Sequence, residues 1–580
     1  MFERNTFDLT RIPYGRRGTY TYLALYEEEG RERLYVCSVL YGLDTAAPGQ
    51  TARRGRLFPV SLQRDGAELP YHAVAAPGCV TLEFEGGSAR LCLQQDSILR
   101  MEAFGAEVAL SPVLAPHEIA KDRNDGSWEV LMNPVPKLLF CPVAGSMEVT
   151  AGFDVITSMP SDTVFRFRPD AAGRVDLAVH FYRSNAWRLP QYPAFDACVA
   201  EIEAEFAAYL DTAPLLPPDY ANERTLAAYL IWSHILPADG TELIYMNKGI
   251  HRCTSSWQQC YHAMGQYRNP RFAWELMLSV FRWQDDYGML PDMLYDSYQS
   301  FGGTKPPFHG VAMEFLKDFS DFPFATRREC CTLYDGLSRW VFWWLSYRDT
   351  DEDGIVQYDT ADESGWDDSS FFHQGGPTEA PDLAAYLILA MDNLASLAKR
   401  LGKTYEAREW KARAERMTAQ AIDFFWDGER FTPRLNASHQ RVESGSIMQF
   451  IPLLLGERLP QEIRDKLAAQ LSQENVFLTP YGLAGERLDS ERYHDTGWSA
   501  GPILAPAQLL VVLGLRFSGK DELARKIARR YCRALADANF PMVMNARTGA
   551  DVSEGRWGPR YPNRMPWTAV VFLILGSLYL

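Results

Sequence analysis

The sequence predicts a two-part chain: a β-sandwich over residues 1–185, then a closed (α/α)6 toroid of paired helices over residues 219–580. Three observations predict it. Short runs of β-branched and aromatic residues, separated by Gly, Pro, Asn and Asp, fill the first third. Beyond about residue 219 the apolar residues recur three and four apart. Thirteen of the fifteen tryptophans lie after residue 220, so the aromatic enrichment belongs to the helical part.

The elements follow in order. Tyr20–Leu25, Arg33–Leu40, Val80–Phe84, Ala89–Leu93 and Arg174–Tyr182 read as strands. Many short strands with turn residues between them suggest two packed sheets. Residues 186–218 read as a linker, with Pro190-Gln191-Tyr192-Pro193 at its start and a connecting helix over Ala194–Leu210. Helical spacing then marks Leu226–Ile235, Phe272–Phe281, Tyr334–Leu345, Leu383–Leu401, Tyr405–Phe425, Ile463–Leu471, Ala505–Leu515, Leu523–Leu535 and Trp567–Leu580. With weaker segments included the count reaches about twelve. Twelve helices joined by alternating short and long loops fit a toroid.

Composition narrows the function. The 580 residues allow a large core, and 47% hydrophobic with 23% charged residues is an ordinary globular balance. A net charge of -16 argues against DNA, RNA or an anionic membrane as the main partner. Met1-Phe2-Glu3-Arg4-Asn5 lacks the basic start and apolar run of a signal peptide. No apolar run approaches the roughly 18 residues of a membrane span. The ten cysteines show no Cys-x-x-Cys, and the spacing of Cys253 and Cys260 is not that of a zinc site. They read as reduced, mostly buried thiols of a cytoplasmic protein. Oligomeric state leaves no trace in the sequence.

The most informative segment is Glu363-Ser364-Gly365-Trp366-Asp367-Asp368-Ser369-Ser370. A tryptophan face suits the apolar face of a sugar, and a carboxyl beside it suits a glycosidic oxygen that needs a proton. Four further landmarks flank it in order: Ser255-Ser256-Trp257-Gln258, then Gly288-Met289-Leu290-Pro291 with Lys305-Pro306-Pro307. Trp498-Ser499-Ala500-Gly501-Pro502 comes next, and Asn545-Ala546-Arg547-Thr548-Gly549 leads to Pro566-Trp567-Thr568-Ala569.

This order resembles the (α/α)6-barrel glycosidases of glycoside hydrolase families 63 and 37, the processing α-glucosidases and trehalases, over roughly residues 225–580. The resemblance implies a glycoside hydrolase, inverting, acting on a short and α-linked glycoside, with no cofactor and no metal. It places the general acid at Asp367. Such an acid must stay protonated near neutral pH, and Glu363 and Asp368 are candidates to raise its pKa by like charge. It places substrate contacts at Trp257, Gln258, Lys305, Glu363, Trp366, Trp498 and Trp567. Lys305 would suit an acidic or phosphorylated sugar.

The sequence departs from that pattern. The family's general base falls three residues before Asn545, at Met542, which cannot take a proton. Gln258 replaces an Asp, Lys305 a Gln and Ala384 an Asn. Glu554 is the preferred substitute base, with Asp551 and Asp495 as other candidates. Asp349-Thr350-Asp351-Glu352-Asp353-Gly354 opens like an EF-hand loop, but Thr360 holds the twelfth position where the bidentate Glu belongs. It reads more simply as the polar loop leading to the acid, with a calcium ion there as the alternative. Two rival functions remain: a sugar epimerase or lyase, which needs His262, His309 and His373 to converge, and a carbohydrate-binding protein that has lost its base.

Overall fold

The computed structural model describes residues 5–28, 30–40, 55–94, 97–133, 136–185, 187–249, 251–319, 325–554 and 562–580. The first third forms two antiparallel eight-stranded sheets. One runs in the spatial order Tyr14–Gly15, Thr21–Glu28, Arg31–Ser38, Arg56–Arg64, Glu107–Leu110, Val164–Arg168, Ser146–Thr150, with Ala67–Glu68 added on Arg56–Arg64. The other runs Ile119–Asp122, Trp128–Leu131, Lys137–Ala144, Arg174–Tyr182, Ile98–Phe104, Gly87–Gln94, Val80–Phe84, His72–Ala75. Between them Phe140 stacks on Phe165 at 4.0 Å and packs against Phe58. Inward-facing aromatics from both sheets thus close the sandwich core.

Helix α1 (Phe195–Thr212) lies between the Gly87–Gln94 strand and α2 (Ala221–Trp232). The toroid continues with α3 (Ser256–Gly265), α4 (Pro270–Ser279), α5 (His309–Lys317), α6 (Arg327–Tyr347), the single-turn α7 (Ala361–Ser364), α8 (Pro381–Leu401) and α9 (Thr404–Phe425). A 3-10 helix over Ile447–Arg458 follows, then α10 (Gln461–Leu471), α11 (Ala505–Phe517), α12 (Asp521–Asp537) and α13 (Pro566–Tyr579).

Six of these form a closed inner ring. α3 packs on α5, α5 on α8, α8 on the 3-10 helix, that helix on α11, α11 on α13, and α13 back on α3. The helices between them in sequence form an outer ring. The burial patterns explain the division. α8, α11 and α13 are buried on almost every side, whereas α12 keeps one apolar stripe under a charged face. Strict alternation of outer and inner helices runs all six inner ones in one direction. Their N-termini, and the long loops feeding them, therefore gather at one end of the toroid. No helix among the described residues is long and apolar enough to cross a membrane.

The two parts share one continuous core. The Tyr229 hydroxyl of α2 accepts from Gly15 N at 2.9 Å and donates to Gly15 O at 3.1 Å. The buried Lys248 ammonium donates to Thr19 O at 2.8 Å. Burial pushes its pKa down to about 7.

Candidate active site

The loops entering α3, α5, α8, α11 and α13 carry all the sequence landmarks, so the fold brings them to one mouth. The acid segment enters through the short strand Gln357–Tyr358, which pairs with Thr378–Glu379. It turns once through α7 and ends that turn at Gly365 in the left-handed region, φ 77°. A Cβ there would lie 2.7 Å from the Trp257 ring, so only glycine permits the approach. Trp257 in turn meets Trp567 edge to face at 5.8 Å, and Trp567 stacks on Trp498 at 5.5 Å. Gly365, Trp257, Trp567 and Trp498 thus form one aromatic wall from residues far apart in sequence.

The two adjacent carboxylates of this segment do different work. Asp367 is exposed. The Asp368 carboxylate accepts from Trp498 N at 2.6 Å, Ser499 N at 2.6 Å, Ser499 Oγ at 2.7 Å and Ala500 N at 3.2 Å. Backbone amides and a hydroxyl so fasten the acid segment to the loop before α11. The following serines continue the seam. Ser369 donates to Ser446 Oγ at 2.8 Å, and Ser370 to the buried Glu486 at 2.6 Å. Burial pushes the Glu486 carboxyl above its usual range. On the other side the buried Tyr358 hydroxyl donates to Asp382 at 3.0 Å, and burial pushes Asp382 up to about 7. Asp382 belongs to the stretch Pro381-Asp382-Leu383-Ala384, which matches the family's Asp-Leu-Asn, whereas Glu486 does not stand out in the sequence.

Several expectations need correction. Glu363, expected at the substrate, is buried; Arg348 donates to it at 2.6 Å and Asp359 N donates to it at 2.8 Å. Neither Glu363 nor Asp368 presses on Asp367 as a bare like charge, because Arg348 balances one and backbone donors solvate the other. Lys305, expected to face an acidic sugar, lies buried between Asp292 at 2.9 Å and Asp362 at 3.1 Å. Burial works against its ammonium, but those carboxylates outweigh it and hold the pKa above the usual lysine range. Gln258 is buried against Ser255, the N-cap of its own helix. Trp257 and Trp366 have almost no exposed surface, so they floor the site rather than offer a platform. Trp498 and Trp567 keep only thin exposed edges.

Of the candidate bases, Glu554 is half-buried in an ion pair with Arg11 of the N-terminal segment. Asp551 pairs with the buried Arg564 at 2.8 Å. Asp495 keeps 59% of its side chain exposed on the loop that clasps Asp368, and Asn545 Nδ2 donates to it at 3.0 Å. Met542 is buried, as the apolar residue at that position requires. The three histidines do not converge. His262 is buried with neither ring nitrogen hydrogen-bonded, and burial pushes its pKa to about 3. His309 contacts Met277 O at 3.1 Å and His373 contacts Ser370 O at 2.7 Å.

The Arg348–Glu363 pair gives a first prediction. Arg348→Met leaves a buried, unpaired carboxylate and is expected to cost about 3 kcal/mol of toroid stability. Denaturant unfolding followed by tryptophan fluorescence checks it; an unchanged midpoint would refute the structural role given to the pair.

The family model described as mannosylglycerate hydrolase MGH1-like glycoside hydrolase domain matches residues 252–561. The GH63 mannosylglycerate hydrolase from Thermus thermophilus, in complex with Tris, is similar with TM-score 0.52 and 17% identity over 60% of this chain and 98% of that one. A bacterial glucoamylase complexed with acarbose is similar with TM-score 0.59 and 11% identity over 99% of this chain and 95% of that one. These likenesses establish the fold, and the glucoamylase spans both the sheets and the toroid. Comparison with curated protein sequences gives no match.

Proposed function

Because this chain belongs to the mannosylglycerate hydrolase MGH1-like glycoside hydrolase family, we propose that this glycoside hydrolase inverts a short, α-linked glycoside, with Asp367 as proton donor. On this reading residues 1–185 are the sandwich domain, 186–218 the connector and 219–580 the catalytic toroid. The supporting observation is the division of labour in Asp367-Asp368: one residue is exposed while its neighbour's carboxylate is consumed in fixing the backbone. A docked sugar displaces the water around Asp367, and that desolvation favours the protonated form a general acid needs. The departing glycosidic oxygen takes the proton as its bond to the anomeric carbon breaks.

Inversion also needs a carboxylate on the opposite face, about 6.5–9.5 Å from the acid, to activate water. Met542 cannot serve. Glu554, favoured on sequence, is engaged by Arg11. Asp495 suits the role better, being more exposed, oriented by Asn545, paired with Arg547 only at 3.9 Å and carried on the loop that Asp368 holds. Asp495→Asn is expected to lower kcat by about 10³-fold and Glu554→Gln by less than about threefold. The assay is ¹H NMR on a panel of α-glucosides and α-mannosides, including esters and ethers of small hydroxy acids, which also reads the anomer first released. Retention of configuration would overturn the inverting reading; the reverse order of the two variants would return the base to Glu554. All ten cysteines are free thiols, which supports placement in the reducing cytoplasm and substrates of imported, low-molecular-weight kind.

A further inference from the structure

The loop Asp349–Gly354 lies just upstream of the acid segment and lacks the carboxylate that its twelfth position would need to close around an ion. The fold supplies one from elsewhere. Glu379, on the strand Thr378–Glu379, sits beside the loop with no exposed surface. Carboxylate oxygens of Asp351, Asp353 and Glu379, with a ring nitrogen of His439, all lie within 4.8 Å of one another. Two oxygens on opposite sides of a calcium ion, each about 2.4 Å from it, would be about 4.8 Å apart. The cluster therefore already has the span of a calcium shell.

Its hydrogen bonding leaves it under-satisfied. Glu379 Oε1 accepts from Asn436 Nδ2 at 3.4 Å, while its buried Oε2 has no hydrogen-bond partner. Asp351 Oδ1 and Asp349 Oδ1 are likewise buried without one. Asp351 Oδ2 accepts from Ala437 N at 2.9 Å and meets His439 Nε2 at 3.0 Å. Asp353 Oδ2 lies 3.4 Å from the same nitrogen. One imidazole faces three carboxylates here, a poor match in charge and in donors. Gly354 takes φ 86° at the sixth position, where a calcium loop turns sharply.

We propose that Asp349, Asp351, Asp353 and Glu379 bind a calcium ion, with Glu379 replacing the missing twelfth-position ligand. All-oxygen ligation from a loop and a strand suits calcium, which takes six to eight oxygens, better than magnesium with its strict octahedron. The Ile355 carbonyl, at the seventh position, is a further ligand on this pattern. His439 is the cation's stand-in: it occupies the carboxylate side of the cluster and yields when the ion enters. The consequence reaches the mouth, because Gln357 pairs directly with Glu379 and the same strand runs on through α7 to Asp367. The ion would pin the root of the acid segment.

The test uses the full chain stripped with a chelator and then dialysed. Calorimetry is expected to show one calcium per chain, and calcium is expected to raise the thermal midpoint by several degrees. Glu379→Gln and the milder, partly exposed Asp353→Asn are each expected to weaken calcium binding by on the order of tenfold or more, with circular dichroism reporting a folded chain. No heat and no thermal shift in the wild type, or an equal calcium effect in both variants, would overturn the proposal. A larger shift with magnesium or zinc than with calcium would overturn the assignment of the ion. Every readout is on the protein alone, so the result stands apart from the role of Asp367.

Discussion

Asp367→Asn is expected to lower kcat on an unactivated α-glycoside by about 10³-fold, while the unfolding midpoint stays within a degree or two. The asymmetry follows from where the residue sits. Asp367 is exposed, so replacing its carboxyl by an amide of the same shape removes little buried structure. Asparagine keeps the shape but has no proton to give. The loss should depend on the leaving group. An α-glycosyl fluoride departs without full protonation, so the variant should hydrolyse it within about tenfold of the wild-type rate. Side-by-side kinetics on an alkyl glycoside and the fluoride of the same sugar measure the difference. Equal losses on both would mean that Asp367 binds or orients the sugar, and the acid would have to be sought elsewhere.

The helices marked by a polar face or by a long apolar run were legible in the sequence, and those with neither were not. Tyr405–Phe425 and Leu523–Leu535 show a clear period because one side faces water, and they appear as α9 and α12; Leu383–Leu401, Ala505–Leu515 and Trp567–Leu580 are long apolar-rich runs and appear as the inner helices α8, α11 and α13. α3 carries a motif in the sequence but no helical period. All ten of its residues are buried, so polar and apolar residues carry no facial pattern. The 3-10 helix at Ile447–Arg458 is apolar on nearly every side and contains Pro452, which reads as a break. Both belong to the inner ring, where burial on every side leaves only a long apolar run to mark a helix, and neither of these two has an unbroken one.

The site was legible by type of residue more than by role. The segment around Asp367 stood out because turn formers, a tryptophan and carboxylates coincide there. Which carboxylate is spoken for was not, because the partners come from other loops: Arg348 for Glu363, the amides of 498–500 for Asp368, Asp292 for Lys305. The same reason hid Glu379. A loop that fails a local ligand pattern can be completed by a strand more than twenty residues on, and only the sheet pairing of Gln357 with Glu379 reveals it.

Asp368→Asn is expected to be the most damaging change that removes no reacting group. The carboxylate receives three backbone N–H groups and one hydroxyl from residues 498–500. Hydrogen bonds to a charged group contribute about 1.5–3 kcal/mol each, although they do not add simply. An amide keeps one accepting oxygen but turns an NH2 toward donors, so about 3 kcal/mol of local stability should go. The loop then loses its hold on Trp498, whose ring stacks on Trp567, and on Asp495 three residues earlier. Acid and base would lose their fixed separation, and near-attack geometry is what that separation provides. We expect kcat/KM to fall by about 10²-fold or more. Unlike Asp367→Asn, this change should reduce turnover of the glycosyl fluoride as much as that of the alkyl glycoside. Protease sensitivity between Tyr493 and Pro502 should rise in parallel. An Asp368→Asn protein that matches the wild type on both substrates would show that the clasp between the two loops does not set the geometry of the reaction.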